Sequence, residues 1–341
     1  MPTVDAARLE RLARDVLCAA GAPDATAETV AASLVLGNLK GIDSHGVVRL
    51  AQYVPEIRSG RIVPAAEPAV ESTGAVSRVD GNWCFGQIAA AAAARAALQA
   101  AGSTGVAAAS VSRVQHVGRL GEYVELLAAG GLIGLAFCNT GPPGGRVVPF
   151  GGSRPVLPTN PVAYAIPTGA GFPIVADFST SAAAEGRLRL ARQNGQAVPE
   201  GWIVDAEGSP TTDPADFYEG GALLPAGGHR GYALAVLAEI LGGALAGAGC
   251  ASTGDNPGNG VVLLALAPDA WGGSASFRAE VDRAVEAIGS VPPAEGFDRV
   301  RLPGEPEREC EQARRTTGIP IPEATYGQLV ELAATLGVDA A

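Results

Sequence analysis

Asp43-Ser44-His45-Gly46-Val47-Val48-Arg49-Leu50 gathers a hydroxyl, an imidazole and a guanidinium into one short stretch of a chain that has only three histidines. If Ser44 caps a helix running to Arg58, His45 falls in its first turn and Arg49 one turn later, on the same face. That helix mouth would present a proton carrier, a carboxylate clamp and a positive dipole end together. The plain alternative is a capping serine and a turn histidine beside a glycine, and spacing alone does not separate the two.

Working outward, Leu9, Leu12, Val16 and Leu17 mark one amphipathic helix, and Val30, Leu34 and Leu36 a second that breaks at Gly41. With Asp43 to Arg58 as the third, carrying Leu50, Val54 and Ile57 inward, the opening sixty or so residues read as a small helical lobe. After the proline-bearing connection Gly60 to Pro68 the pattern changes. β-prone runs at Ala75 to Val79, Val106 to Val111, Leu132 to Cys138, Ile174 to Asp177, Trp202 to Asp205 and Val261 to Leu266 alternate with helical segments. Those segments are Gln87 to Ala101, Gly121 to Ala129, Thr180 to Gln193 and Arg230 to Leu245, which predicts an α/β or mixed-sheet lobe. Ser252 to Gly260 reads as a mobile surface loop. The tail offers a helix at Phe277 to Ile288, a short strand at Arg299 to Leu302, a turn at Pro303 to Glu305, and a last helix with Leu329, Leu332 and Leu336.

A length of 341 residues exceeds what one compact core holds, so two or three lobes are expected. With 47% hydrophobic and 17% charged residues the chain is globular, and a net charge of −11 argues against nucleic acid or an anionic membrane surface as partner. Five scattered cysteines without CxxC spacing argue against a disulfide framework or a zinc site. Tyr232 to Ala251 has membrane-spanning length, but Glu239 and its small residues make it a buried helix of a soluble protein. The first residues lack a signal peptide's apolar core, so a cytoplasmic protein is expected.

Gln115-His116-Val117-Gly118-Arg119-Leu120-Gly121-Glu122-Tyr123 joins a strand to a helix, where glycines let backbone amides approach a phosphate or a flat ring. Gly227-Gly228-His229-Arg230 opens another helix, and Arg230 there could fork onto a phosphate. Asp177 to Thr180 reads as the cap of the helix that follows it, and Thr159-Asn160-Pro161 as a turn with spare polar groups. No G-x-G-x-x-G, Walker loop, G-x-S-x-G or H-E-x-x-H is present, and three isolated histidines argue against a metal site. These features together describe an enzyme for a small anionic substrate.

The motifs become specific as an ordered set. DSHGVVRL, GRIVP from Gly60, QHVGRLGEY, PFGG from Pro149, TNP, Asp177 to Thr180, VPEGWIVDAEGSPTTDP from Val198, GGHRGYALAV from Gly227 and RLPGE from Arg301 run through nearly the whole chain. In that order they resemble the malate/L-lactate dehydrogenase type 2 family, which includes sulfolactate and ureidoglycolate dehydrogenases and piperideine-2-carboxylate reductase.

The resemblance implies an NAD(P)-dependent oxidoreductase, using NADH or NADPH and working as a homodimer. Its dinucleotide-binding lobe would be non-Rossmann, a largely antiparallel mixed sheet over residues 71–295. Residues 1–70 and 296–341 would form a helical lobe from both chain ends. By the same resemblance His45, steadied by Ser44, is the proton donor, with His116 the acid/base in some members, and Arg49 and Thr159 hold the substrate. His116, Val117, Gly118, Arg119, Leu120, Asp177, Phe178, Ser179, Arg230, Arg301, Pro303, Gly304 and Glu305 line the cofactor. Arg230 replaces the family's usual lysine and Pro158 the glycine before TNP. Arg187 stands where imine reductases of the group carry an acid, with Glu185 expected to point elsewhere. That favours a 2-oxo acid over a cyclic ketimine such as piperideine- or pyrroline-2-carboxylate. A catalytically silent, dinucleotide-binding member is a third reading.

Overall fold

The computed structural model describes residues 1–140, 145–254 and 257–340. Strand β1 (Thr3–Val4) leads into α1 (Ala6–Ala19), capped where the Asp5 carboxylate accepts the Arg8 backbone N–H. Helical spacing puts Leu9, Leu12, Val16 and Leu17 on the side of α1 that packs on α2 (Asp24–Leu39). α3 (Leu50–Arg58) adds Leu50, Tyr53 and Val54 to the same core.

Seven strands form the main sheet: β2 (Ala69–Thr73), β3 (Val76–Asp80), β4 (Val106–Val114), β5 (Ile133–Asn139), β6 (Val162–Ile166), β7 (Ile174–Phe178) and β11 (Asn259–Leu266). Their order is β2-β3-β4-β11-β5-β6-β7, and every pairing is antiparallel except β3 with β4. Side chains alternate across it. Ala136 and Cys138 join the core under α4 (Gly86–Thr104) and α5 (Gly121–Ala129), whereas Leu135 and Phe137 pack with Ala238 of α8 (His229–Glu239). A three-stranded sheet of β8 (Ile203–Val204), β9 (Pro210–Thr211) and β10 (Ala222–Leu223) adjoins α6 (Glu185–Gln193) and α7 (Pro214–Tyr218). After α9 (Ser274–Gly289) and α10 (Glu305–Thr317), β12 (Ile319–Pro320) pairs with β1, and α11 (Glu323–Thr335) brings Leu329 and Ala333 into the core of α1 to α3. The architecture is mixed α/β, with one core built from both chain ends.

Five local expectations are corrected. The Asp43 to Arg58 helix is split: Asp43–His45 and Val47–Arg49 are 3₁₀ turns, Gly46 between them is extended, and the α-helix starts only at Leu50. Asn38 explains the break, because its Oδ1 accepts the Val47 N–H at 2.9 Å and its amide donates to Asp43 Oδ1 at 2.7 Å. The helix expected from Thr180 begins at Glu185, since Asp177 and Phe178 belong to β7. Arg299 to Leu302 is not a strand, and α10 was unforeseen because EPERECEQARRTT buries no side chain and shows no apolar stripe. The segment from Tyr232 is not a buried helix: α8 passes into a π-helix at Ile240–Leu245 and exposes Val236, Leu237, Ile240 and Leu245. Within Ser252 to Gly260, Asp255 and Asn256 lie outside the described residues, Ser252 and Thr253 belong to a 3₁₀ turn, and Asn259 and Gly260 are buried at the start of β11. No helix among the described residues is long and apolar enough to cross a membrane.

Candidate active site

Because Gly46 interrupts the helix, His45 does not sit at a helix mouth. It projects from a tight turn, with Nδ1 3.0 Å from the Ser44 hydroxyl and its ring 5.2 Å from that of His116. Arg49 Nε donates to the Ser44 carbonyl at 2.7 Å and Nη1 to Gln52 Oε1 at 2.7 Å, so the guanidinium is aimed by its own neighbours. One turn on, the buried Tyr53 hydroxyl lies 2.7 Å from His116 Nδ1 and receives the Gln87 amide at 2.8 Å. Ser44, His45, Arg49 and His116 therefore converge. Spacing gave no sign of Gln87. Tyr53 could have been found, since it follows Arg49 by four residues.

This cluster is short of negative charge. Burial first, then Arg49 and Arg119, push the His45 imidazole down to about 3. Burial, Arg49 and His45 hold His116 well below the ordinary histidine range. Both rings are neutral at neutral pH. Burial also lowers Arg49, while Tyr53, Glu185 and Glu56 hold it up. Glu185 is near enough to raise Arg49, but its carboxylate lies against Arg146 at 3.6 Å.

A second group surrounds β7. Asp177 Oδ2 accepts the Gly121 N–H at 2.6 Å, so it caps α5 across space rather than the helix that follows it in sequence. Burial raises its carboxyl, against that N–H and nearby Arg119. Arg119, also buried, pairs with Glu125 at 2.5 Å. Val117 and Leu120 are buried beside it, and Gly118 takes a φ of 76° that favours glycine. Pro303 O accepts the Val175 N–H at 3.1 Å, and a Cβ on Gly304 would stand 3.0 Å from the Val175 carbonyl, which lays the Arg301 to Glu305 turn along β7. Within that turn Glu305 accepts from Leu302 N–H and Arg299, and Arg301 is held by Asp298 and Glu309.

A third group joins the TNP turn to α8. The Thr159 carbonyl accepts the Ser179 hydroxyl and both the N–H and hydroxyl of Thr180, each at 3.0 Å. Asn160, buried with φ 29°, donates to the Ala235 carbonyl at 3.1 Å and to the buried Glu239 at 2.9 Å. Arg230 is exposed in the first turn of α8, after Gly227 and Gly228 at positive φ. Phe178, exposed, and Ser179 connect this group to Asp177 along the chain.

Comparison with known proteins gives this geometry its context. The family description malate/L-lactate dehydrogenase matches residues 4–330. The chain is 38% identical to the L-lactate dehydrogenase of Cupriavidus necator, covering 96% of each chain, and 36% identical to the Δ1-pyrroline-2-carboxylate reductase of Ancylobacter novellus, again covering 96% of each. Its fold superposes on the sulfolactate dehydrogenase of Methanocaldococcus jannaschii with a TM-score of 0.90 at 32% identity, covering 99% of this chain and 98% of that one. On this evidence the chain belongs to the malate/L-lactate dehydrogenase family and is a dehydrogenase of that family.

Proposed function

We propose that this protein interconverts a small 2-oxo acid and its 2-hydroxy acid with NADH or NADPH, His45 exchanging the proton and Arg49 holding the substrate carboxylate. The observation that carries the reading is the convergence of two neutral imidazoles on a half-buried, preoriented guanidinium. The chain suits a dinucleotide through small-residue approaches and cations: Gly118 to Gly121 against Asp177, Gly304 against β7, and exposed Arg230 behind two glycines. His116 to Leu120, Asp177 to Ser179, Arg230 and the Arg301 to Glu305 turn would line it, in a non-Rossmann lobe at residues 71–295, with 1–70 and 296–341 forming the other lobe. The reduced nicotinamide, when bound, supplies the hydride that adds to the substrate carbonyl carbon.

Arg49 Nη2, with no hydrogen-bond partner among the described residues, is free for a carboxylate. Burial is the main cause of His45's depression, and neutralising Arg49 removes one of the two charges that add to it, so substrate binding shifts the imidazole toward its protonated form. It then gives that proton to the growing alkoxide, and Ser44 steadies Nδ1 throughout.

Oxidation of NADH and NADPH in the presence of pyruvate, oxaloacetate and cyclic ketimines tests the reading. His45→Gln is expected to lose about 10²- to 10⁴-fold in kcat. Full reduction rate in that variant would remove His45 from the role. Ketimine reduction is the second reading, favoured by the proximity of Glu185 to Arg49 and by the pyrroline-2-carboxylate reductase relative. Exclusive turnover of ketimines, abolished in Glu185→Gln, would establish it instead.

A further inference from the structure

We propose that Tyr53 and Gln87 are positioning residues that hold His116 in the tautomer with its proton on Nε2, so that His116 offers the substrate carbonyl a hydrogen-bond donor while His45 exchanges the proton. The carbonyl in this statement rests on the function proposed above, whereas the tautomer rests on geometry alone.

One backbone group sets the direction of the whole chain of hydrogen bonds. The Gly118 N–H can only donate, and it points at His116 Nδ1 from 3.3 Å. Nδ1 is therefore an acceptor. The Tyr53 hydroxyl, 2.7 Å from the same atom, must then donate to it, taking most of the single lone pair that it shares with the longer Gly118 contact, and the Gln87 amide, 2.8 Å from that hydroxyl, must present its NH₂. The proton of the neutral ring is left on Nε2, opposite the sense expected if His116 took its orientation from an acceptor.

Three features hold the arrangement. Tyr53 and Gln87 are 0% and 1% exposed, so water does not compete for either group. The φ of 76° at Gly118 turns its N–H back toward the ring, a conformation glycine adopts without strain. Gly86, which opens α4, lies so close to His116 that a Cβ would stand 2.5 Å from its carbonyl oxygen. That contact places the next residue, Gln87, beneath Tyr53. Burial of the ring among Arg49 and His45 keeps it uncharged, which is what makes its tautomer matter. A neutral N–H donor next to the reacting oxygen polarises it without moving a proton of its own.

The test is nitrogen NMR of the intact protein labelled with ¹⁵N-histidine. Only three histidines contribute, and His45→Gln, His116→Gln and His229→Gln assign them. A bare Nδ1 and a protonated Nε2 at His116 through neutral pH is the expected result, and a protonated Nδ1 or an imidazolium would overturn the proposal. Tyr53→Phe is expected to mix the tautomers and lower kcat at least about tenfold while leaving the KM for the dinucleotide unchanged, with Gln87→Met acting in the same direction. Unchanged tautomer and kcat in Tyr53→Phe would remove its positioning role, and should that variant fail to fold, the wild-type spectrum still decides the tautomer. Wild-type protein with the expected spectrum that reduces no 2-oxo acid would sink the functional reading and leave the tautomer standing.

Discussion

His45 and His116 are held neutral by the fold, and that has a price in acid. In the unfolded chain each takes a proton near pH 6.5, whereas in the folded chain His45 resists until about 3 and His116 is also depressed. The unfolded state therefore binds more protons below pH 6.5, and stability falls as pH drops through that window. The slope is at most about 1.4 kcal/mol per pH unit for each histidine. Urea unfolding at pH 7 and pH 5 should show the loss in the wild type and a flatter dependence in the His45→Gln, His116→Gln double variant. Identical pH dependence in both proteins would mean that the rings are not buried neutral. At this scale Ser44, His45, Arg49 and His116 were legible in sequence, because their types name the chemistry. Gln87 and Asn38 were not, since an amide gains meaning only from what it touches.

The turn that carries His45 is clamped by an element remote in sequence. Arg314, near the end of α10, binds both Asp43 carboxylate oxygens at 2.8 and 3.2 Å and also donates to the Asn38 carbonyl. At its other end α10 begins at the turn lying on β7. Arg314→Met should cost about 1–3 kcal/mol and lower kcat, with partial recovery in Arg314→Lys. Thermal denaturation and steady-state rates check both, and wild-type values in both would show the clamp to be idle. Gly46→Ala should also destabilise by about 1–3 kcal/mol. Its φ of −86° suits any residue, so the cost is steric: the new Cβ would stand 2.2 Å from Asn38 Oδ1. An apolar segment closed by glycines, Gly121 to Ala129 before Gly130, was read to the residue. α10 was missed because it is held by ion pairs, which leave no periodic trace.

For the molecule as a whole, the exposed apolar face of α8 and its π-helical extension, Val236, Leu237, Ile240 and Leu245, is the surface on which the homodimer implied by the family resemblance can be tested. Leu237→Glu with Ile240→Glu should shift the protein to monomer in sedimentation, and an unchanged mass would place the interface elsewhere. α4 and α5 on one face of the sheet and α8 on the other leave its ends to the turns that carry the proposed site.

The sequence by itself determined the family, the alternation of helices and strands, and the histidines and arginines offered for chemistry, because motif order and apolar periodicity are local properties of the chain. The tertiary structure alone decided that Asp177 caps α5, that Glu185 acts on Arg49, that Arg314 reaches Asp43, and that Tyr53 lies against His116 Nδ1. Each of those facts joins residues distant in sequence, so none exists until the chain has folded back on itself.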